Sequence, residues 1–227
     1  MSAQTPNRSH PLSVVVACCA LLLSLTACSG PGDSAHTSAS ATAATTAPSA
    51  PSGTARSAAI RSVVALVVER LGTAPQVAAA KFHSGQAVDD PARERVVLDA
   101  ARSAAEQAGV DPDWVEAVFA DQVAANKVAQ YTLLASWTRD PDRAPATAPD
   151  LGATVRPVLD RITPELVSGL ASARAARSSP RCGADVRAAV AGSDVDESAV
   201  RDALSTAVAH LCGAGRASGT DGEGGRG

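Results

Sequence analysis

From about residue 58 to residue 212 apolar side chains recur at spacings of three and four within Ala-rich segments, and no run of β-branched residues alternates with polar ones. Segments of that kind each bury one stripe against a neighbour, so the pattern predicts an all-α fold with no sheet. Asp90-Pro91 and Asp111-Pro112 punctuate it. Each offers a carboxylate as N-cap and then a proline at the first helical position, where a missing N–H costs nothing. They predict helices over about 91–109 and 112–138. Ahead of them, helices are expected over about 58–71, ended at Gly72, and over about 76–86. After a Pro/Ala/Asp linker, helices are expected over about 151–177, 182–191 and 196–211, with Pro157 and Pro164 kinking or dividing the first. The sum is a single domain, 58–212, of six or seven helices.

The flanks differ in composition. Residues 29–57 are Ser, Thr, Ala, Pro and Gly with almost no large apolar side chain, so they are expected to form a flexible tether, and the Gly-rich 213–227 a disordered tail. Ahead of the tether, Arg8 precedes an apolar run, 12–25, that is too short to span a bilayer comfortably and ends in Leu25-Thr26-Ala27-Cys28. This reads as a signal peptide over 1–27. The ending resembles a bacterial lipobox, which would place diacylglycerol on the Cys28 thiol and anchor 28–57 to the membrane; ordinary secretion with cleavage nearby is the alternative. Either way the chain is expected outside the cytoplasm, lipid-anchored at the outer face of the cell membrane, periplasmic or freely secreted.

Of the five cysteines, Cys18 and Cys19 fall in the apolar run and Cys28 in the lipobox, which leaves Cys182 and Cys212. In an oxidising compartment these two are expected to pair, closing a loop of about thirty residues and contributing roughly 3 kcal/mol, with two buried free thiols as the alternative. No His or Cys lies at ligand spacing near either one, so no metal is expected. The formal net charge of -3, with both signs interspersed, argues against a nucleic-acid partner. Among twenty cationic side chains only Lys81 and Lys127 are lysines, so a lysine here invites a question.

Several polar residues sit where helical projection puts apolar ones. On the helix over 112–138, Gln122, Asn126 and Gln130 follow one another at intervals of four on the side of Val115, Val118, Phe119, Ala129 and Leu133; Lys127 falls opposite with Asp113 and Glu116. Amides on a core face need partners, either one another and a backbone or a ligand. Arg70 flanks the stripe of Val63, Leu66 and Val67, where it could snorkel. Lys81, Asp90, Arg93 and Glu94, taken singly, have ordinary readings as a helix cation, a cap and a solvated face.

In order, Arg70, Lys81, Asp90, Arg93-Glu94, Asn126 and Gln130 resemble the AroQ class of chorismate mutases, where an Arg, a Lys, an Asp-x-x-Arg-Glu segment and a later polar pair line one pocket. The likeness extends to the secreted, gamma-type branch through Asp111-Pro112-Asp113-Trp114-Val115, Val118-Phe119-Ala120-Asp121-Gln122, Tyr131, Trp137, Asp150-Leu151 and the late cysteine pair, so that it covers about 61–212. The resemblance implies an isomerase that rearranges chorismate to prephenate through a chair-like pericyclic transition state, without cofactor, proton transfer or covalent intermediate. Catalysis is then positioning plus electrostatics. By the same resemblance Arg70 and Arg93 clamp carboxylates, Lys81 and Gln130 donate to the ether oxygen, Glu94 and the Asp90 backbone hold the ring hydroxyl, and Asn126 assists at a carboxylate. A further Arg from the C-terminal half is implied, for which Arg156 is the candidate after a one-residue shift. Some members carry a Glu where Gln130 stands and a polar side chain where Val97 stands. Members of this branch are often dimers with each pocket built in one chain. The competing reading is a lipid-anchored helical module that binds an aromatic acid or a protein and has lost turnover; such a binder would tolerate Lys81→Ala, whereas an isomerase would not.

Overall fold

The computed structural model describes residues 51–213, which are helical throughout apart from their connections. Helix α1 is Gly53–Leu71, α2 Ala74–Ser84, α3 Pro91–Ala108, α4 Pro112–Arg139, α5 Leu151–Thr154, α6 Arg156–Arg177, α7 Cys182–Ala191 and α8 Ser198–Ala207. Seven of these have ten residues or more, as the periodicity predicts. The signal peptide, Cys28 and the residues after Gly213 lie outside the described part.

The helix starts follow from local chemistry. Asp90 Oδ1 accepts the Arg93 N–H at 3.0 Å, and Asp111 Oδ1 accepts the N–H groups of Asp113 and Trp114 at 3.1 and 3.3 Å, so both Asp-Pro pairs act as N-caps. The first helix begins at Gly53, five residues ahead of the expected tether boundary. Ser52 caps it, its hydroxyl accepting from Ala55 N–H at 3.2 Å, and the exposed Ala/Ser turn that follows needs no apolar stripe to be helical. The division expected at Pro157 falls two residues earlier, at Val155, and Pro164 lies inside α6 without ending it. Helix α8 starts at Ser198, where the Glu197 carboxylate accepts the Ala199 N–H at 3.3 Å, and it ends at Ala207, short of the expected 196–211.

Helix α4 runs through the middle, with α8, α3, α2 and α1 packed around it, while α6 and α7 cover the other side of α1. The core joins Ile60, Val63, Val64 and Val67 of α1 to Val115, Val118 and Phe119 of α4 and to Ile162, Leu166 and Leu170 of α6. A Cβ at Gly169 would stand 3.3 Å from the Val63 side chain, so a glycine is what lets α6 approach α1 so closely. The stretch Gly53–Ser84 is long and apolar enough to cross a membrane by length and composition alone, but its apolar residues form this core.

The C-terminal end is tied down twice. Cys182, at the head of α7, forms a disulfide with Cys212 beyond α8, their Cα atoms 5.8 Å apart. Between α8 and that bond, the Trp114 indole N–H donates to the His210 carbonyl at 2.8 Å. The buried Asp121 carboxylate meets the His210 backbone N–H at 2.7 Å and its ring Nδ1 at 2.8 Å.

Two outcomes follow. Reducing the Cys182–Cys212 bond lowers the thermal midpoint by about 6–12 °C, which is roughly 3 kcal/mol in a domain of this size; a midpoint indifferent to reductant would mean that packing alone holds α7 and α8. Gly109, the α3 C-cap, has φ 65°, and a Cβ there would meet nothing within 4 Å. Gly109→Ala therefore costs only backbone strain, about 1 kcal/mol or 2–4 °C. Gly53→Ala, equally unobstructed but in a right-handed helix, shifts the midpoint the opposite way.

Candidate active site

Arg70 stands in the last turn of α1. After it the chain turns through Gly72 and Thr73 into α2, because Pro75 has no N–H for the Leu71 carbonyl and its ring would clash with it. The Thr73 hydroxyl donates to the Arg70 carbonyl at 2.8 Å and caps the break. The Arg70 side chain does not snorkel: the residue is only 9% exposed, and its guanidinium carbon lies 5.4 Å from the centroid of the Phe119 ring. Its Nε meets no acceptor among the described residues, and no carboxylate among them lies within ion-pair distance. Burial pushes its pKa down to about 10, low for a guanidinium though still charged at neutral pH.

Lys81, in the last turn of α2, donates from Nζ to the Val88 carbonyl at 2.9 Å, so it faces the connection leading into α3. Its pKa is lowered first by desolvation and then by the positive charge of Arg93, with Asp90, Asp89 and Glu94 opposing. Those influences place Lys81, Asp90, Arg93 and Glu94 in one electrostatic neighbourhood. Glu94 Oε1 reaches back to accept the Asp90 N–H at 3.4 Å, a contact from the fourth helical residue to the N-cap that ties down the start of α3. Arg93, one residue earlier, is exposed.

The amide ladder of α4 is buried as its projection predicts, Gln122 at 2% and Gln130 at 4% exposure. Gln130 Nε2 donates to Asn126 Oδ1 at 2.5 Å, and Gln122 Nε2 donates to the Val118 carbonyl at 3.3 Å. The Oε1 atoms of both glutamines have no partner. With Arg70 Nε they make three buried side-chain atoms that find no hydrogen-bond partner among the described residues, each costing what a folded chain ordinarily avoids. Arg156 is not drawn into this group: it is exposed at the start of α6, and no hydrogen bond or ion pair from the described residues holds its side chain.

Three residues of the neighbourhood escape a residue-by-residue reading. Lys127 Nζ bonds both oxygens of Glu94, at 3.1 and 3.2 Å, and Asp89 Oδ1 at 2.9 Å. The Tyr131 hydroxyl donates to Asp89 Oδ2 at 2.5 Å. The rarity of lysine in this chain was the available signal for Lys127 and the family likeness that for Tyr131; for Asp89 there was none. Elsewhere, an open groove between α1 and α6, lined by Ala59, Ser62, Leu66, Pro164, Glu165 and Ser168 among others, holds none of these residues and no cation.

The last turns of α1 and α2, the first turn of α3 and the middle of α4 thus carry a desolvated guanidinium, an ammonium of lowered pKa, a second guanidinium and amide groups with hydrogen-bonding capacity to spare. Cationic and N–H donors of this kind suit an anionic ligand, since they can hold carboxylates and place positive charge against an oxygen.

The chorismate mutase type II family model matches residues 61–131, a span that contains Arg70, Lys81, Asp90, Arg93, Glu94, Asn126 and Gln130 and stops short of Arg156. A secreted chorismate mutase of Mycolicibacterium smegmatis is 38% identical over 124 residues, 55% of this chain and 68% of that protein. One from Mycobacterium tuberculosis is 30% identical over 156 residues, 67% of this chain and 78% of the other. The crystal structure of chorismate mutase from Burkholderia thailandensis superposes with a TM-score of 0.64 at 36% identity, over 68% of this chain and 99% of that one. Fold, family model and relatives agree: the chain belongs to the type II chorismate mutase family of isomerases.

Proposed function

We propose that this chain acts outside the cytoplasm and converts chorismate to prephenate by holding the folded substrate dianion against a fixed set of cationic and amide donors. The observation that carries the reading is Arg70, a buried guanidinium with no anionic partner among the described residues. A side chain that gives up hydration without an internal counter-charge is well explained by a ligand that brings the charge.

In this reading Arg70 and Arg93 take the two carboxylates, with Asn126 assisting, and Arg156, outside the group in this structure, is given no part. Glu94 and the Asp90 N–H hold the ring hydroxyl. Lys81 and Gln130 donate to the ether oxygen. Lys81 spends one of its three N–H bonds on Val88, and Gln130 one of its two amide hydrogens on Asn126, so each keeps a donor for substrate. In the rearrangement the ether C–O bond breaks as a new C–C bond forms, and negative charge grows on the departing oxygen. A full positive charge at that oxygen stabilises the transition state more than the ground state, and no proton need move.

Export is supported by the leader over 1–27 and by the relatives named as secreted enzymes. Lipidation at Cys28 rests on the Leu25-Thr26-Ala27-Cys28 ending alone.

Lys81→Ala lowers kcat by about a hundredfold or more, the scale of losing one preorganised donor, while helicity by circular dichroism is unchanged; the assay is loss of chorismate absorbance with the disulfide intact. Retention of wild-type kcat in that variant would refute the assignment. The pH profile gives a second check. The active form of Lys81 is protonated and its pKa is lowered, so kcat/KM is lost as pH rises through that lowered value, earlier than an ordinary lysine would give. Gln130 donates at every pH, and no acid limb arises there. Gln130→Glu introduces one, with activity confined to acid where the new carboxyl is protonated and can donate.

A further inference from the structure

The network around Lys127 is built for more than holding two helices together. Asp89, Asp90 and Glu94 crowd the entry to α3, and their charges are felt at Lys81 together with that of Arg93. Without Lys127, these three carboxylates would face Lys81 and Arg93 alone and leave that corner one negative charge in excess. A dianion would be repelled from it. Lys127 restores the balance: its ammonium touches Asp89 and both oxygens of Glu94, and its own pKa is raised by those two partners. The same contacts fix geometry. Lys81 holds the Val88 carbonyl, Lys127 and Tyr131 hold the two oxygens of Asp89, and Glu94 reaches the Asp90 N–H, so three consecutive residues are pinned from α2, α3 and α4. Lys127 is also the one bridge in this network that joins the middle of α4 to the first turn of α3 at Glu94.

We infer that Lys127 is a positioning residue for the rearrangement: it cancels the charge of Asp89 and Glu94 so that the pocket admits a dianion, and it orients Glu94 to receive the ring hydroxyl. This rests on the assignment of Glu94 made above. Lys127 itself touches no reacting atom.

The test is steady-state kinetics on the disulfide-intact protein with Lys127→Met, Lys127→Arg, Glu94→Gln and the double variant Asp89→Asn/Lys127→Met, each at low and high ionic strength. Lys127→Met is expected to raise KM for chorismate by about tenfold, with a smaller change in kcat, and the gap from wild type narrows as salt screens the uncompensated carboxylates. Lys127→Arg restores most of the loss, and so does removing one carboxylate in the double variant. A purely structural residue would lower the thermal midpoint without a salt-dependent KM and without rescue by Asp89→Asn. A folded Lys127→Met enzyme with unchanged KM, or a raised KM that neither salt nor Asp89→Asn relieves, overturns the inference. If Lys127→Met does not fold, the double variant decides, since it keeps the charge balance and must show a KM near wild type. Failure of the underlying reading looks different: Glu94→Gln would then leave both constants of the wild type untouched.

Discussion

A guanidinium buried against an aromatic ring, with no carboxylate among the described residues to neutralise it, sets the terms for the rest of this fold. Arg70 gains some attraction from the face of Phe119, but a cation–π contact does not replace hydration or an ion pair. The deficit has to be offset by groups that do no binding. The core of α1, α4 and α6, the closeness allowed by Gly169, the Trp114 and Asp121 hydrogen bonds to His210 and the disulfide are what hold α1 in place while its last turn carries an unfavourable charge. The stabilising contacts gather along α1, α6 and the C-terminal ties, and the unsatisfied polar atoms gather where α1 and α4 carry Arg70, Gln122 and Gln130. That division is expected of a site preorganised for charge.

Helix α4 serves both ends of this arrangement. Its Val115, Val118 and Phe119 belong to the core, and its later turns carry Gln122, Asn126, Lys127 and Gln130. A single long helix therefore transmits the rigidity of the core directly to amide and ammonium groups, with no loop between. The first turns of α3 are held against it by Lys127 and, farther along, by Arg102, which bonds Asp113 at 2.6 Å and Glu116 at 2.9 Å.

Much of this was readable in the amino-acid sequence because the features were local. The two Asp-Pro starts and Gly109 mark their helix ends through interactions spanning four or five residues, and the amide ladder declares its burial by spacing alone. What was not readable depends on what lies opposite. Arg70 on its own suggests a snorkelling side chain, since projection of α1 says nothing of the turn forced by Pro75. Lys127 projects to the side of Asp113 and Glu116, which would be solvent for an isolated helix; α3 covers that side, and the apparent surface lysine becomes a bridge between carboxylates. The start of α1 was hidden for the converse reason: its first turn is exposed and small, and composition cannot distinguish a solvated helical turn from a tether.

The extra turn at the start of α1 has a geometric consequence. At 1.5 Å per residue, Gly53 and Arg70 stand about 25 Å apart along the helix axis. Any segment that leads into Gly53 therefore joins the domain far from the guanidinium, on the other end of a rigid rod. The two ends of α1 therefore carry unlike duties: a small, solvated turn at Gly53 and, at the other end, a turn that holds a desolvated cation.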